Sequence, residues 1–398
     1  MRKTKEELRQ ICEQNNVDIL WSWSRVNTYL TSPYEYFLKY IKHINEDNNN
    51  CAYAPLGGMV HDILEEYYEQ KIDYNEMLDK YDQGWMINID IADLKFDRSD
   101  KEKNNNIKNR YNLDLQHFFK NHKHIESQKA IEQFILIKLR EDIILQGYMD
   151  ILIKKENNTF VIGDFKTSTI YKGKKALKEC GQLVLYAIGL HQMGVPWKNI
   201  KIGWNFLKYQ NVTVEQKNGK KKVREIERSK LGESLQSNAK TWLKHFGYDP
   251  DDYFVQMIQD NSIDCLPKEV KEKFEFDDCW VYVDLTSELL QHWTDLVVNT
   301  IDEINLKTKE YKDTKNDKLF WDDEESVKSQ SYYFANLCGY SANLLLPYKQ
   351  YLEKLEKEKN GDVFTGLGED TNDYVEPINE TESNDFDVGA FLMEMLNE

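Results

Sequence analysis

Two short apolar stretches that carry charged residues constrain the fold of this chain more than any other feature. The stretch 160–168 reads Phe-Val-Ile-Gly-Asp-Phe-Lys-Thr-Ser, and the stretch 144–153 carries a single acid, Asp150. Side chains alternate along a strand, so Asp164 and Lys166 project from one face and the residue between them from the other. The residues linking the two stretches have the composition of a turn. We therefore predict a β-hairpin that brings Asp150 across from Asp164 and Lys166.

The charges in this hairpin point to a particular chemistry. A carboxylate in an apolar strand is costly to bury unless it is paired or bound to a metal, and two neighbouring carboxylates repel each other. A shared divalent cation would relieve both problems. Phosphodiester hydrolysis uses such a cation together with a positive side chain that stabilises the attacking water or the developing charge. The alternative is an edge hairpin with a surface ion pair, because charges in strands commonly face water.

Two predicted helices flank the hairpin in sequence. The segment 55–68 reads as a helix after its glycine pair at 57–58 and places His61 and Glu65 four residues apart on one face. Histidine is a common metal ligand, but a single helical histidine is more often a core or surface residue. In the later helix Gln182 and Tyr186 share a face. A glutamine on so apolar a helix needs a partner, either a nucleic acid or a neighbouring backbone group.

The order of these motifs is more specific than any one of them. The chain resembles the RecB-like branch of the PD-(D/E)xK nuclease superfamily over roughly residues 21–210, and more weakly near 330–352. The resemblance rests on a predicted N-terminal helix pair at 23–40, then Gly-x-x-x-His at 57–61, Gly-x-x-Asp at 147–150, Asp-x-Lys at 164–166 and Gln-x-x-x-Tyr at 182–186. Each active-site position holds the expected residue type, which implies an active nuclease.

The resemblance implies roles for individual residues. The metal ligands would be His61, Asp150, Asp164 and the backbone carbonyl of Phe165, and Lys166 would be the catalytic lysine. Gln182 and Tyr186 would contact nucleic acid or support the site, with Glu65 and Glu132 as further carboxylates around the ligands. Oxygen ligands with one imidazole suit Mg²⁺ or Mn²⁺ better than zinc.

The chain departs from the family pattern at its cysteines. Many relatives hold an iron–sulfur cluster with one cysteine before the proline of the N-terminal helix pair and three near the C-terminus. Ser32 occupies the first position here, and only Cys338 remains of the later group, with Ser341 at a plausible second position. A cluster needs its thiolates. We therefore expect no iron–sulfur cluster, with packing in its place.

The bulk composition is that of a soluble intracellular protein. There is no disulfide framework, signal peptide or apolar run of transmembrane length, so we expect a cytoplasmic location and no membrane partner. The net charge is −17, but 11 acidic and no basic residues fall within 361–398. Residues 160–240 instead carry 16 Lys and Arg against 6 Asp and Glu.

A predicted hairpin around Asn218-Gly219 contains part of this basic segment. Its basic residues are candidate phosphate contacts, since neutralised phosphates supply most non-specific affinity for DNA. A solvated loop is the alternative. The candidates are Lys220, Lys221, Lys222 and Arg224.

The resemblance and the order of predicted elements indicate an α/β fold: a restriction-endonuclease-like core with a mixed central sheet flanked by helices, and N- and C-terminal helical additions. We expect a loop or insertion near 90–110, irregular structure over 248–283 and a long helix over 287–311. The predicted domains are an N-terminal helical region with the His61 helix (1–130), a nuclease core with the basic hairpin (131–247), a C-terminal helical region packing back on the core (248–355) and a disordered acidic tail (356–398).

The tail ends in apolar residues that suit a short helix bound in a groove: Phe391, Leu392, Met395 and Leu396. It is predicted to dock a protein partner or to cover the basic face, and a frayed terminus is the alternative. The oligomeric state does not follow from the sequence.

Three functions compete on these observations. The first is a metal-dependent DNA nuclease, an exonuclease or a nuclease of replication, recombination or repair, and the Asn- and Lys-rich composition suggests a bacteriophage origin. The second is a nucleic-acid-binding protein with an incidental metal site, which has no need of Lys166. The third is a subunit that acts only within a helicase or replication complex through its tail, since the chain lacks a phosphate-binding Gly-x-x-x-x-Gly-Lys-Ser/Thr loop.

Overall fold

A computed structural model of the protein describes residues 2–322, 331–341 and 344. The predicted acidic tail, 356–398, lies outside these residues. The described chain contributes to two compact units. One comprises the described residues of 1–23, 50–299 and 335–337, and the other comprises Ser24–Asn49 with the described residues of 300–334 and those from Cys338 onward.

Thirteen α-helices occur in the described residues. They are α1 Lys5–Asn15, α2 Trp23–Thr31, α3 Pro33–Tyr36, α4 Tyr53–Tyr68, α5 Tyr74–Trp85, α6 Lys101–Lys120, α7 Lys174–Glu179, α8 Gly181–Gln192, α9 Leu231–Phe246, α10 Asp251–Asp260, α11 Lys268–Lys271, α12 Ser287–Thr314 and α13 Ser331–Asn336. Shorter π or 3₁₀ segments are Phe37–Ile41, Met86–Ile91, Trp197–Asn199, Arg228–Lys230 and Asp317–Phe320. Within this part of the chain, no helix is both long enough and apolar enough to cross a membrane.

Seven strands form one mixed sheet in the first unit. They are β1 Trp21–Ser22, β2 Gln128–Arg140, β3 Ile143–Lys154, β4 Phe160–Lys166, β5 Ile200–Glu215, β6 Lys221–Glu227 and β7 Phe274–Val283. The hydrogen-bonded order is β1-β3-β4-β5-β6, with β2 also paired to β3 and β7 also paired to β5. The β1–β3 and β4–β5 pairs are parallel and the others are antiparallel.

The predicted β-hairpin of the stretches 144–153 and 160–168 is confirmed as a hairpin. β3 and β4 pair antiparallel, with Ile151 opposite Gly163, so Asp150 lies at the end of the ladder next to Asp164. Every residue of β4 except Lys166 is buried. A strand covered on both faces reads as an almost continuous apolar run, and the sequence of β4 has this pattern.

Helices α4, α5 and α6 pack on this part of the sheet through one apolar cluster. Residues of α4 such as Leu56, Val60 and Leu64 contact a core that includes Phe165 of β4 and Leu207 of β5. Helix α8 packs against β2, β4 and β5. The two helices that carry the polar motif residues, α4 and α8, therefore lie against β4 and β5.

Two predictions for weakly patterned segments are wrong. Residues 248–283, expected to be irregular, contain α10, α11 and β7. The apolar alternation of β7 is interrupted by Asp278, which is paired with the buried Arg228 at 3.0 Å. Within the predicted loop or insertion near 90–110, α6 begins at Lys101, where the side chain of Asp100 caps the helix by accepting from the Lys103 N–H. Asparagine-rich sequence disfavours helix, but burial of four α6 residues outweighs that preference: Tyr111, Leu115, Phe118 and Phe119.

A buried polar network in the second unit includes Ser32 and Cys338, the two positions compared above with cluster cysteines. Ser32 Oγ donates to Asp322 Oδ2 at 2.8 Å, and Tyr333 Oη donates to Glu35 Oε2 at 2.5 Å. The Cys338 thiol lies 3.7 Å from the same Glu35 oxygen. The expectation of simple packing is therefore incomplete, because hydrogen-bonded carboxyl groups hold this region together.

This network predicts a pH-dependent stability. Burial raises the pKa of the Asp322 carboxyl to about 6 from an ordinary value of 3.8. The folded protein therefore binds this proton more tightly than the unfolded chain does, so its contribution to stability is complete below about pH 4 and is lost as pH rises through about 6. The loss amounts to roughly 3 kcal/mol at most. Asp322→Asn, which cannot ionise, should lose less stability between pH 4 and pH 7 in urea unfolding.

The exposed Asp313→Asn on α12 is the matched control and should follow the pH profile of the unmodified protein. Parallel profiles for Asp322→Asn and the unmodified protein would show that this carboxyl does not titrate with an altered pKa.

Candidate active site

Three side chains from different elements converge at the end of the catalytic hairpin. His61 of α4, Asp150 of β3 and Asp164 of β4 each offer one ligand atom, and these atoms lie within 4.8 Å of one another. Among the residues that the structure describes, this is the one group of three or more His, Cys, Asp or Glu side chains close enough to share a metal ion.

The peptide of Phe165 links these groups. Its N–H donates to Asp150 Oδ2 at 3.1 Å, and its carbonyl oxygen lies 2.7 Å from His61 Nε2. His61 Nδ1 in turn lies 3.3 Å from Asp150 Oδ2. The Phe165 ring stacks against Tyr68, with ring centroids 6.2 Å apart and planes at 10°. Packing of the Phe165 ring on one face of β4 thus helps to fix the Phe165 peptide, which contacts Asp150 and His61.

Lys166 completes the group with a positive charge. Its Nζ lies 2.6 Å from Asp164 Oδ2. Burial acts against the charge of Lys166, but the carboxylates of Asp164 and Asp150 outweigh it and hold the Lys166 pKa above its ordinary value. Lys166 is therefore a charged group at neutral pH in this arrangement.

The two carboxyl groups have opposite pKa shifts. Burial, followed by the charge of Asp164, raises the pKa of Asp150 well above its ordinary value. Burial also acts to raise the pKa of Asp164, but the charge of Lys166 and a hydrogen bond from Asp150 outweigh it, so the pKa is lowered. Fully ionised, the two carboxyl groups would carry one negative charge more than Lys166 compensates, and the raised pKa of Asp150 reflects this. A divalent cation would compensate this negative charge. The ligand set of two carboxylates, an imidazole and a backbone carbonyl also suits such a cation.

Gln182 and Tyr186 lie together on α8 as the sequence predicts, and they are bonded to each other. Gln182 Nε2 donates to Tyr186 Oη at 3.0 Å. Burial raises the pKa of Tyr186 to about 12, with further contributions from the charges of Asp150 and Asp164. Tyr186 is therefore close enough to the carboxyl groups to interact with them electrostatically.

Glu65 and Glu132 lie around this group. Glu65 is one turn after His61 on α4, and its pKa is raised first by burial and then by the charge of Glu132. Glu132 falls in the β2–β3 ladder between the pairs that flank Asp150, has a positive φ of 46°, and lies 3.5 Å from Arg2. A left-handed conformation is unusual for glutamate in a strand, and such strain is common at functional sites.

The basic hairpin forms around Gly219, whose φ is 75°. Two of its four candidate contacts make internal interactions. Lys221 Nζ lies 2.5 Å from Glu275, and Arg224 Nη1 donates to Asn238 Oδ1 at 2.9 Å. Lys220 and Lys222 are exposed and have no acidic partner in the described chain. Their contact with nucleic acid stays a prediction.

Tyr171, five residues after Lys166, also lies beside the site, although its sequence context carries no signal that separates it from other aromatic residues. Its ring packs edge-on against Trp204 and Phe206 with centroids 5.2 Å and 5.0 Å away. These two residues of β5 pair in register with Asp164 and Lys166.

The family assignment comes from comparison with protein-family models. The model of the PD-(D/E)XK nuclease superfamily matches residues 20–318, which include every strand and the whole convergent group. The chain belongs to this superfamily. The mixed sheet flanked by helices is accordingly a restriction-endonuclease-like core, and the assignment supports a metal-dependent nuclease with DNA as substrate. No curated protein matches the chain. The RecB-like branch stays a prediction.

Gly147 explains how the Tyr186 ring can lie close to the site. A Cβ on Gly147 would lie 2.3 Å from Tyr186 Cε1 and 2.8 Å from its hydroxyl oxygen, so only glycine leaves room for the ring. Gly147→Ala should displace Tyr186, break its bond to Gln182, destabilise the protein by about 1–3 kcal/mol and reduce nuclease activity. Thermal unfolding and a cleavage assay measure the two effects.

Gly58→Ala provides a matched control, because a Cβ on this exposed glycine of α4 would meet nothing within 4 Å. It should leave stability unchanged or slightly increased, since alanine favours helix. If Gly147→Ala unfolds at the same temperature as Gly58→Ala and cleaves normally, the position of Tyr186 does not require a glycine at position 147.

Proposed function

We propose that the protein is a metal-dependent deoxyribonuclease that acts as an exonuclease in replication, recombination or repair. The observation that carries this proposal is the meeting of His61, Asp150 and Asp164 within 4.8 Å, with Lys166 2.6 Å from Asp164. Nucleic-acid binding alone would not need a half-buried lysine paired with a buried carboxylate.

The proposed cation ligands are His61, Asp150, Asp164 and the carbonyl oxygen of Phe165. The oxygen-rich set favours Mg²⁺, with Mn²⁺ as an alternative because it accepts nitrogen ligands more readily. When bound, such a cation would activate water and stabilise negative charge on the phosphate.

Lys166 acts in this proposal as a fixed positive charge rather than as a base. Its raised pKa keeps the ammonium group protonated, and its bond to Asp164 holds Nζ at the centre of the site. A preorganised positive charge stabilises the negative charge that develops as water attacks the phosphate. Asp164 therefore has two tasks, holding the cation and positioning Lys166.

Gln182 and Tyr186 are proposed to position the nucleic acid. The Gln182 amide donates to Tyr186, which leaves its carbonyl oxygen for another partner. Glu65 and Glu132 are proposed to adjust the charge around the ligands. The helicase-associated alternative depends on the acidic tail, which lies outside the described residues.

The catalytic proposal is tested by Lys166→Met, which keeps most of the side-chain volume and removes the charge. The loss of transition-state stabilisation should lower kcat by about 100-fold or more. Asp164→Asn should be equally inactive, because it weakens the proposed cation site and releases Lys166. Initial rates are measured on end-labelled linear, circular and single-stranded DNA in Mg²⁺ and in Mn²⁺.

Lys201→Met is the control. Lys201 is an exposed lysine on β5, paired with Val161 at the opposite end of β4, roughly 17 Å from Lys166 along the strand. It should retain full activity. Cleavage of linear but not circular DNA supports an exonuclease, and normal cleavage by Lys166→Met would refute the assigned role.

A further inference from the structure

The segment that follows the catalytic lysine, residues 167–180, is held against the sheet at several points. Tyr171 packs on Trp204 and Phe206, and its hydroxyl lies 3.3 Å from Ser168 Oγ. Because Trp204 and Phe206 pair with Asp164 and Lys166, the position of Tyr171 is tied to that of the catalytic residues.

Two further features fix the start of α7. Lys172 forms an ion pair with Glu225 of β6. Gly173 then adopts a φ of 52°, a conformation that side chains rarely tolerate, and turns the chain into the helix. Ala176 of α7 and Cys180 after it are buried, so one face of the helix packs inward. The helix is therefore in a defined position next to the site rather than on a loose loop.

The exposed residues of α7 are Lys174, Lys175, Leu177, Lys178 and Glu179, so its outward face carries three positive charges and one negative charge. Lys174, Lys175 and Lys178 are all exposed, and none of them has an acidic partner among the residues that the structure describes. Lys174 and Lys178 are four residues apart, and Lys175 and Lys178 three apart, spacings at which like charges repel on a helix. Lys175 Nζ lies 4.9 Å from the centre of the Tyr171 ring. A bound polyanion would remove this repulsion.

We propose that the α7 lysines Lys174, Lys175 and Lys178 bind the phosphate backbone of the nucleic acid that enters the active site. This inference rests on the proposed function for its substrate class and adds a binding surface to it. The chain reaches α7 eight residues after Lys166, and Tyr171 ties the segment to the catalytic strands. Phosphates adjacent to the scissile one would therefore lie within reach of these side chains.

The basic hairpin differs from α7 in how its charges are used. Lys221 and Arg224 already interact with Glu275 and Asn238, so only Lys220 and Lys222 of the four hairpin candidates have no acidic partner in the described chain. All three α7 lysines lack an acidic partner there, and α7 follows the segment that Tyr171 ties to the catalytic strands. Groups without internal partners give up fewer interactions when they bind a phosphate. The α7 surface is therefore the stronger candidate for the first nucleic-acid contact outside the catalytic group.

The test compares two double variants with the same charge change and the same spacing. Lys174→Gln/Lys178→Gln alters α7. Lys240→Gln/Lys244→Gln alters two exposed lysines four apart on α9, which packs on Val212 and Val214. These β5 residues are eight or more positions beyond Trp204, roughly 26 Å or more along the strand. Binding of a labelled 20-nucleotide duplex and of its single strand is measured against salt with Ca²⁺ in place of Mg²⁺, after checking that the DNA remains intact.

For the α7 variant, the slope of log Kd against log salt should fall by about 0.9 on duplex, or about 0.7 on single strands, for each phosphate that the variant no longer neutralises. With Mg²⁺ its KM should rise while kcat at saturating DNA stays the same. The α9 variant should match the unmodified protein in both measurements. Thermal unfolding should be equal for all three proteins.

An unchanged slope for the α7 variant, or equal changes for the α7 and α9 variants, would overturn the proposal. Binding does not depend on cleavage, so the two hypotheses can be separated. If the unmodified protein binds DNA through α7 but cleaves none of the substrates, the nuclease proposal fails and the binding surface stands.

Discussion

The repulsion between two neighbouring carboxyl groups, the buried Asp164 and the largely buried Asp150, is the constraint on which the site depends. Asp150 and Asp164 share one compensating lysine, and the pKa of Asp150 is raised because burial and Asp164 both oppose its ionisation. A fold selected for stability alone would replace such a group with apolar side chains of similar volume. Its presence in an otherwise apolar hairpin is therefore best explained by the binding of a cation.

The geometry of this group is enforced mainly by backbone. One peptide, that of Phe165, donates to Asp150 through its N–H and faces His61 through its carbonyl oxygen. Tyr68 stacks on its ring, and Gly147 leaves the space that Tyr186 occupies. Tyr68 and Gly147, neither of which is a proposed ligand, thus help to determine where these groups lie. Site precision depends on this supporting layer as much as on the ligands.

The sequence predicts the catalytic hairpin well because its pattern is local. Apolar runs, a polar turn and the alternation of side chains are sufficient to place Asp150 next to Asp164 and Lys166. The His61 helix could be identified only through the order of the motifs, since a single histidine carries little information. The family match supports the superfamily and the fold.

The elements that sequence patterns miss depend on distant partners. β7 contains Asp278 in mid-strand. This acid is explained by its partner Arg228, which lies fifty residues earlier in the chain. α6 is rich in asparagine and is stabilised by burial of its aromatic residues. Tyr171 is placed by Trp204 and Phe206, which are more than thirty residues away in the chain. No local pattern contains these interactions, so propensity alone could not reveal them.

An acidic net charge is compatible with a nucleic-acid substrate. Repulsion by distant acidic residues is screened by salt, whereas attraction by nearby lysines acts at contact distance. The chain carries a net charge of −17, of which the acidic residues of 361–398 supply 11. Repulsion from such charges is screened beyond about 10 Å at 0.1 M salt. Lys174 and Lys178 would act on a phosphate at contact distance, where screening is weakest, and the release of counterions from the nucleic acid would add to the attraction. Local arrangement of charge, rather than the total, decides whether a polyanion can reach the catalytic group.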